Sequence, residues 1–418
     1  MESIAHLAAF KYRDFVFAWV ANALGGASTW TFLIASQWYV LDQSDKSSLV
    51  GLFTFASMLP FLLISPLGGF FSDRMERTRL TTLMIGGTFV IILCAAILAI
   101  AGYLELWHLC IFAFISGSFR ATQEASLVSL VTNIVPRENL LNAITLNAAT
   151  RHGSRVIGMS ILLIGRTPFG EEFTTGQFLA ASAIFGAGSL VAIFFVKTRS
   201  VGEISPNTGI IRGVIEGISF IYSNRPVGIF IVAVMFHCAL VMSFDSILPV
   251  FSRDNIGSSD EFILAILVLS FGIGSVAGTF LLAGTTNESA KGIILFSSGL
   301  MSSIAPIILG FSLNILTAFS AKFLMGVSQS AFMALAMTYV QMGTPDRLRG
   351  RISSLYILHA GGIMAFANLG YGNLADIFGA PEILIATGLI FLAIFIALSS
   401  SDPVLKSVYK GKMVQTIP

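Results

Sequence analysis

Residues 68–79 read Gly68-Gly69-Phe70-Phe71-Ser72-Asp73-Arg74-Met75-Glu76-Arg77-Thr78-Arg79: a glycine pair, two acids and three arginines in a dozen positions. The stretches beside them, about 48–72 and 80–102, carry no Asp, Glu, Lys or Arg. Each is as long as the ~20 residues that an α-helix needs to cross the hydrocarbon of a bilayer. The charged dozen is thus a short turn between two membrane spans.

The rest of the chain has the same character. Of 418 residues 55% are hydrophobic, 36 are Phe and only 11% are charged, against about 25% charged in a soluble domain. Mean hydropathy is +0.85. A folded soluble protein needs a polar shell that this composition cannot supply, which excludes a water-soluble enzyme, a nucleic-acid-binding domain and a disordered chain. Twelve stretches are long and apolar enough to span: about 15–41, 48–72, 80–102, 106–134, 139–165, 174–196, 226–252, 261–284, 290–311, 314–342, 350–375 and 381–401. They lack the alternation of barrel strands, so the class is an all-α membrane protein of twelve helices. Residues 1–14 lack the layout of a cleaved signal, so the first span is expected to stay. Cys94, Cys110 and Cys238 lie in apolar stretches without metal or disulfide spacing. There is no phosphate loop, H-E-x-x-H or G-x-S-x-G. Neither an ATP motor nor hydrolase chemistry gains support, and no cofactor or metal is expected.

Lys and Arg orient the spans. With both termini in the cytoplasm, seventeen of the 24 fall in cytoplasmic segments; Lys46, Arg166 and Arg253 alone fall outside. The longest polar connection, 197–225, begins as a linker and ends in 210–223, IIRGVIEGISFIYS, an amphipathic surface helix. Pro136-Arg137 before span five recurs as Pro345-Asp346-Arg347 before span eleven. The expected organisation is a six-helix bundle over 1–196, the cytoplasmic linker 197–225, a second bundle over 226–401 and a cytoplasmic tail over 402–418. Two parallel six-helix repeats with a site near the midplane between them form a transporter plan.

Gly69, Asp73, Arg74 and Arg77 resemble the loop 2–3 signature of the major facilitator superfamily, with Arg79 one place beyond its usual basic pair. Gly69 permits close helix approach, and Asp73 with the arginines can latch one conformation. The equivalent loop, Gly284 to Lys291, lacks the Asp-Arg pair. Three further segments resemble the branch holding the enterobactin exporter and macrolide-type efflux proteins: Val135-Pro136-Arg137-Glu138 with Asn142, Ala143 and Asn147; Arg155-Val156-Ile157-Gly158; and Pro345 through Ser354. The resemblance implies a secondary transporter of a bacterial inner membrane, commonly an exporter driven by inward proton flow. Its partners would be a small-molecule substrate, protons and the lipid bilayer, with no nucleic acid, and a monomer is expected. The glycine-rich antiporter run of span five is absent: Met159 follows Gly158, and Leu162-Leu163 replace the glycine pair.

A charge at mid-bilayer costs at least about 2.5–3.5 kcal/mol and marks function or a partner. Span four carries Arg120, Gln123 and Glu124 on one face, resembling the family's Arg-x-x-Gln-Gly with Glu124 in place of glycine. Span five carries Asn147, Arg151 and Arg155 in an i,i+4 stripe with His152 beside it. These faces are expected to meet mid-membrane. Arg120–Glu124 is either a structural ion pair or a pair in which Glu124 carries protons. Asp245 in span seven, with His237 two turns earlier, is either a proton carrier or a partner of Lys322 in span ten. Asp245, Glu124 and His237 are the proton-coupling candidates. Arg120, Gln123, Asn147, Arg151, His152, Arg155, Lys322 and His359 are the substrate-cavity candidates. The excess of arginine suits an anionic, siderophore-like metabolite. The alternatives are a multidrug or macrolide-type efflux pump and, from another class, a non-transporting sensor or scaffold.

Overall fold

The computed structural model describes residues 5–164, 174–200, 210–257, 261–283, 285, 287–345 and 348–411. Every regular element among them is helical. A 3-10 turn, Ala5–Lys11, leads into α1 (Arg13–Ser44), α2 (Ser47–Leu63), α3 (Ser65–Arg74), α4 (Arg77–Ile100), α5 (Leu106–Ile134), α6 (Arg137–Ile164) and α7 (Thr175–Phe194). Then come α8 (Ile210–Ser223), α9 (Arg225–His237), a π-helical turn Cys238–Met242, α10 (Leu248–Asp254), α11 (Glu261–Ala283), α12 (Glu288–Gly310), α13 (Ile315–Met342), α14 (Arg349–Phe378), α15 (Ala380–Ser401) and α16 (Pro403–Tyr409).

Among the described residues eight helices are long and apolar enough to cross a membrane: α4, α7, α9 with its π turn, and α11 to α15. Helices α1, α5 and α6 have 32, 29 and 28 residues, but polar side chains dilute them. Two expected spans are interrupted. The second breaks at Ile64, where Pro66 in the first turn of α3 has no amide hydrogen with which to continue α2. The seventh follows α9 to His237, widens into the π turn, opens over Ser243–Ile247 and resumes as α10.

Side chains start several helices where their first amides lack partners. Thr174 and Gln177 form a reciprocal capping box on α7. Asn224, Asn287, Asn314 and Asp402 accept from first-turn amides of α9, α12, α13 and α16. Gly379, at φ 94°, turns the chain between α14 and α15 in a conformation that glycine adopts without a Cβ clash.

The chain forms two compact units, with the boundary inside α2. The first holds α1 up to Gln43, α2 from Ala56, and α3 to α7; the second holds residues 44–55 with α8 to α16. Lipid tails give helices no hydrophobic reason to associate, so small residues and interhelical hydrogen bonds join them. In the first unit Ser28 Oγ donates to Ser182 O at 2.8 Å, Ser182 Oγ donates back to Ser28 O at 2.6 Å, and Ser189 Oγ donates to Ala21 O at 2.7 Å. A side chain at Gly26 would strike Ser154 Oγ, so the glycine pair of α1 lets α6 approach. The second unit has an aromatic core of Phe230, Phe332, Tyr339, Phe391 and Phe395. There Gly274 and Gly278 of α11 lie against the backbone of α13 at Phe323 and Val327.

Candidate functional site

In the first unit the polar residues of α5 and α6 converge on aromatic and amide side chains of their neighbours. Arg120, Gln123 and Glu124 are all half-buried on α5. The Arg120 guanidinium carbon lies 5.4 Å from the centre of the Phe61 ring. On α6, half-buried Arg155 stacks over Trp30 of α1 at 3.6 Å, and Asn147 Oδ1 accepts from Asn22 Nδ2 of α1 at 3.2 Å. Arg120 of α5 thus faces α2, and the α6 residues face α1, which supplies Asn22 and Trp30. Weakly hydrated guanidinium on an aromatic face keeps its charge in a dry setting and leaves its edge able to grip an anion.

In the second unit the site forms around the break between α9 and α10. Leaving the helical ladder frees backbone groups that must be satisfied inside the protein. Gln329 Nε2 of α13 donates to Val241 O at 2.7 Å, and Tyr371 Oη of α14 donates to Ala239 O at 2.6 Å. Asn368 Oδ1 of α14 accepts from Ser246 N at 3.1 Å, while Ser243 Oγ donates to Cys238 O at 2.7 Å. Asp245 is half-buried in this stretch. Beside it Lys322 is fully buried, its Nζ 3.4 Å from the centre of the Phe244 ring and 4.9 Å from that of Phe271. Gln329 Oε1 and Ser246 Oγ are buried without hydrogen-bond partners among the described residues. Broken helices and π turns recur at transporter and enzyme sites because they present backbone groups and side chains that a regular helix would hide.

The two histidines lie elsewhere. His237 is fully buried, with Nε2 3.2 Å from Ser302 Oγ, stacked on Phe332 and edge-on to Phe391. His359 donates from Nδ1 to Leu355 O at 2.7 Å and faces Tyr222 of α8. Helix α8 is itself pinned to α14 by Glu216–Arg351 at 2.6 Å, while Ile215 and Ile218 are exposed along its other face. In the turn after α3, Arg77 donates to Ser129 O at 3.2 Å and Ser72 O at 3.4 Å, and Arg74 is exposed. Gly69, Asp73, Arg151 and His152 fall in α3 and α6, and their side chains lie outside the described residues.

Asn368 caps the break. The candidates read from the sequence do not include Gln329, Tyr371 or Asp376. The available signal was the spacing on α14: Asn368, Gly372 and Asp376 recur every four residues, with Tyr371 adjoining, as a narrow polar and small stripe on an otherwise apolar helix.

The model of a family described as transmembrane secretion effector matches residues 4–411. The chain is similar to the staphyloferrin A transporter of Staphylococcus aureus, at 21% identity over 355 residues, 84% of this chain and 86% of that protein. Its fold is similar to the solved nucleoside transporter NupG, with a TM-score of 0.73 at 10% identity over 92% of this chain and 99% of that one. It is also similar to a bacterial homologue of the human lysosomal transporter Spinster, solved inward-facing and unoccupied, with a TM-score of 0.70 at 15% identity over 96% and 98% of the two chains.

Proposed function

This chain belongs to the transmembrane secretion effector family of major facilitator transporters, and from that premise we propose that it exports a small organic anion by alternating access. It is a transporter and not an enzyme, and it is an integral, multi-pass membrane protein. The proposed arrangement is twelve spans with both termini in the cytoplasm, in a bacterial inner membrane. Six spans would lie in 1–196 and six in 226–401, with 197–225 as the linker. Seventeen Lys and Arg on one side against three on the other support that orientation. The exposed apolar face of α8 suits a helix lying in the lipid interface.

The observation that carries the substrate class is the setting of two cations, half-buried Arg155 and buried Lys322. Arg155 on Trp30 and Lys322 on Phe244 are held by aromatic faces within helices that the proposal takes through the membrane. A transporter of neutral amphipathic drugs gains nothing from such groups and would bear their burial cost. The family resemblance to a staphyloferrin A transporter supports a siderophore-like substrate. Asp245, in the break, is the leading proton carrier, with Glu124 second; His237, caged by aromatics and bonded to Ser302, is the least suited.

Mass spectrometry of medium and cell extract, with and without the gene under iron limitation, should find an anionic metabolite that leaves the medium and accumulates inside when the gene is lost. With that metabolite in vesicles, Arg155→Gln and Lys322→Gln should each lower transport by about tenfold or more, the equivalent of roughly 1.4 kcal/mol. Transport at the wild-type rate by both variants would remove the anion reading in favour of drug efflux. Asp245→Asn and Glu124→Gln test coupling: full pH-driven transport by both would remove the proton assignment.

A further inference from the structure

Helix α14 grips two elements at once within nine residues. Toward the break, Asn368 Oδ1 accepts from Ser246 N and Tyr371 Oη donates to Ala239 O. Toward α2, Asp376 caps the first turn: Oδ1 accepts from Ser47 N at 2.7 Å and Oδ2 from Ser48 N at 3.0 Å. Between these grips the helices touch through glycine. A Cβ on Gly51 would lie 2.9 Å from Asn368 O and 3.2 Å from Gly372 Cα, and one on Gly372 would strike Ser47 O. Phe55 meets Phe366 edge-on at 5.4 Å. Asp45, in the turn before α2, pairs with Arg253 at the end of α10 at 2.8 Å. Residues 44–55 accordingly belong to the second unit, although α2 continues into the first.

Neither gripped element can hold its own shape. The break lacks a helical ladder, and the first amides of α2 have no intrahelical acceptors. Each borrows its missing partner from α14. At the break, where Asn368 and Ser246 are buried, such a bond is made with one acceptor or lost outright, because no water replaces it; at exposed Asp376 water can replace part of the loss. The direct glycine contact leaves no side-chain layer to absorb small displacements, so the grip is seated or released rather than graded.

We propose that Asn368, Tyr371 and Asp376 are positioning residues of the transport cycle. Through them α14 moves the α9–α10 break and the start of α2 as one body, so that a change at the break seats or releases the α1–α2 turn. This rests on the alternating-access reading of the preceding subsection. Its test needs no substrate, so it fails independently of the export assays.

The reporter is a cysteine in place of buried Ser47, Ser47→Cys, in the full-length protein reconstituted in lipid vesicles, with Cys94, Cys110 and Cys238 replaced by alanine. The readout is the labelling rate with a membrane-impermeant maleimide on the Lys46 side. Asp376→Asn, which weakens a helix cap, should raise the rate by about five- to tenfold. Asn368→Ala and Tyr371→Phe remove side-chain groups that bond the break, and should still raise it by about threefold or more. A control cysteine, Leu104→Cys, at a buried position of the first unit in the turn between α4 and α5 on the Lys46 side of the proposed arrangement, should keep its parent rate in every variant. Acceleration by Asp376→Asn without acceleration by the other two would show a local cap and overturn the proposal. So would no effect of Asp376→Asn, or a parallel rise at the control site, which would mean general loosening. If Asn368→Ala does not fold, Tyr371→Phe, which loses a single hydroxyl, decides alone.

Discussion

The rod formed by α2 and α3 is held in two different ways at its two ends. After α3 the fastening uses side chains near water. Arg77 donates to carbonyls at Ser129 and Ser72, Thr78 Oγ1 donates to Thr198 O at 2.6 Å, and Glu76 faces Arg199 at 3.8 Å. At the start of α2 the fastening uses backbone: two amides on the Asp376 carboxylate and two glycines face to face. The first kind concentrates charge in a dozen consecutive residues and is conspicuous in sequence. The second kind is assembled from positions more than 300 residues apart, and each component alone is an ordinary glycine or a carboxylate at a helix end.

The largest effect should come from the backbone-fastened end, because nothing there can yield. Gly372→Leu places a side chain into Ser47 O and the Gly51 backbone. Overpacking of this kind costs about 1–3 kcal/mol, so transport in vesicles should fall by about tenfold or more. Gly370→Leu, two positions away and with open space around its Cβ, should stay within about twofold, as surface changes usually do. Equal losses in the two variants would break the distinction between the ends.

Next in size is Arg77→Ala at the charge-fastened end. It removes hydrogen bonds from a charged donor, each worth about 1.5–3 kcal/mol when buried, but Arg77 is only half-buried and water can replace part of the loss. Transport should fall by about three- to tenfold, and Arg77→Lys should recover part of it, because an ammonium can still reach one carbonyl where the guanidinium reaches two. A loss with Arg77→Ala larger than that with Gly372→Leu would reverse the ranking of the two fastenings.

The same contrast explains what could be read from the chain before its structure. The apolar runs, the charged turn at 68–79 and the helix over 210–223 were legible, because each depends on local composition. The interruptions were not. Residues 238–242, Cys-Ala-Leu-Val-Met, hold no proline or glycine to announce a π turn. What stabilises the turn comes from Gln329, 88 positions after the carbonyl it serves, and Tyr371, 132 positions after. Pro66 was visible, but an apolar run of the right length hid its effect. The polar faces of α5 and α6 were legible; the pairing of Arg155 with Trp30 and of Asn147 with Asn22 on α1 was not, since an aromatic ring in a span most often faces lipid or a neighbouring helix.

The smallest effect should come from an exposed ion pair at the start of α2. Arg253 lies 2.8 Å from Asp45 and 2.7 Å from Asp254. The hydrogen bond that the guanidinium donates to Asp254 holds it above its ordinary range, with Asp45 adding less. Raising the folded-state value of a cation adds stability below its unfolded value, and that stability is lost only as pH rises through the folded value. For a guanidinium that window lies far into alkali, so this contact confers no pH response near neutrality. The Asp45 side chain is 80% exposed, and exposed ion pairs contribute about 0–1 kcal/mol. Asp45→Asn should therefore change transport by less than about twofold at low salt, and the difference should vanish at about 1 M salt, where the screening length falls to about 3 Å. A tenfold loss that persists in salt would mean that charge, and not the Asp376 cap with its glycine contact, fastens this end of α2, and the two ends would then be alike.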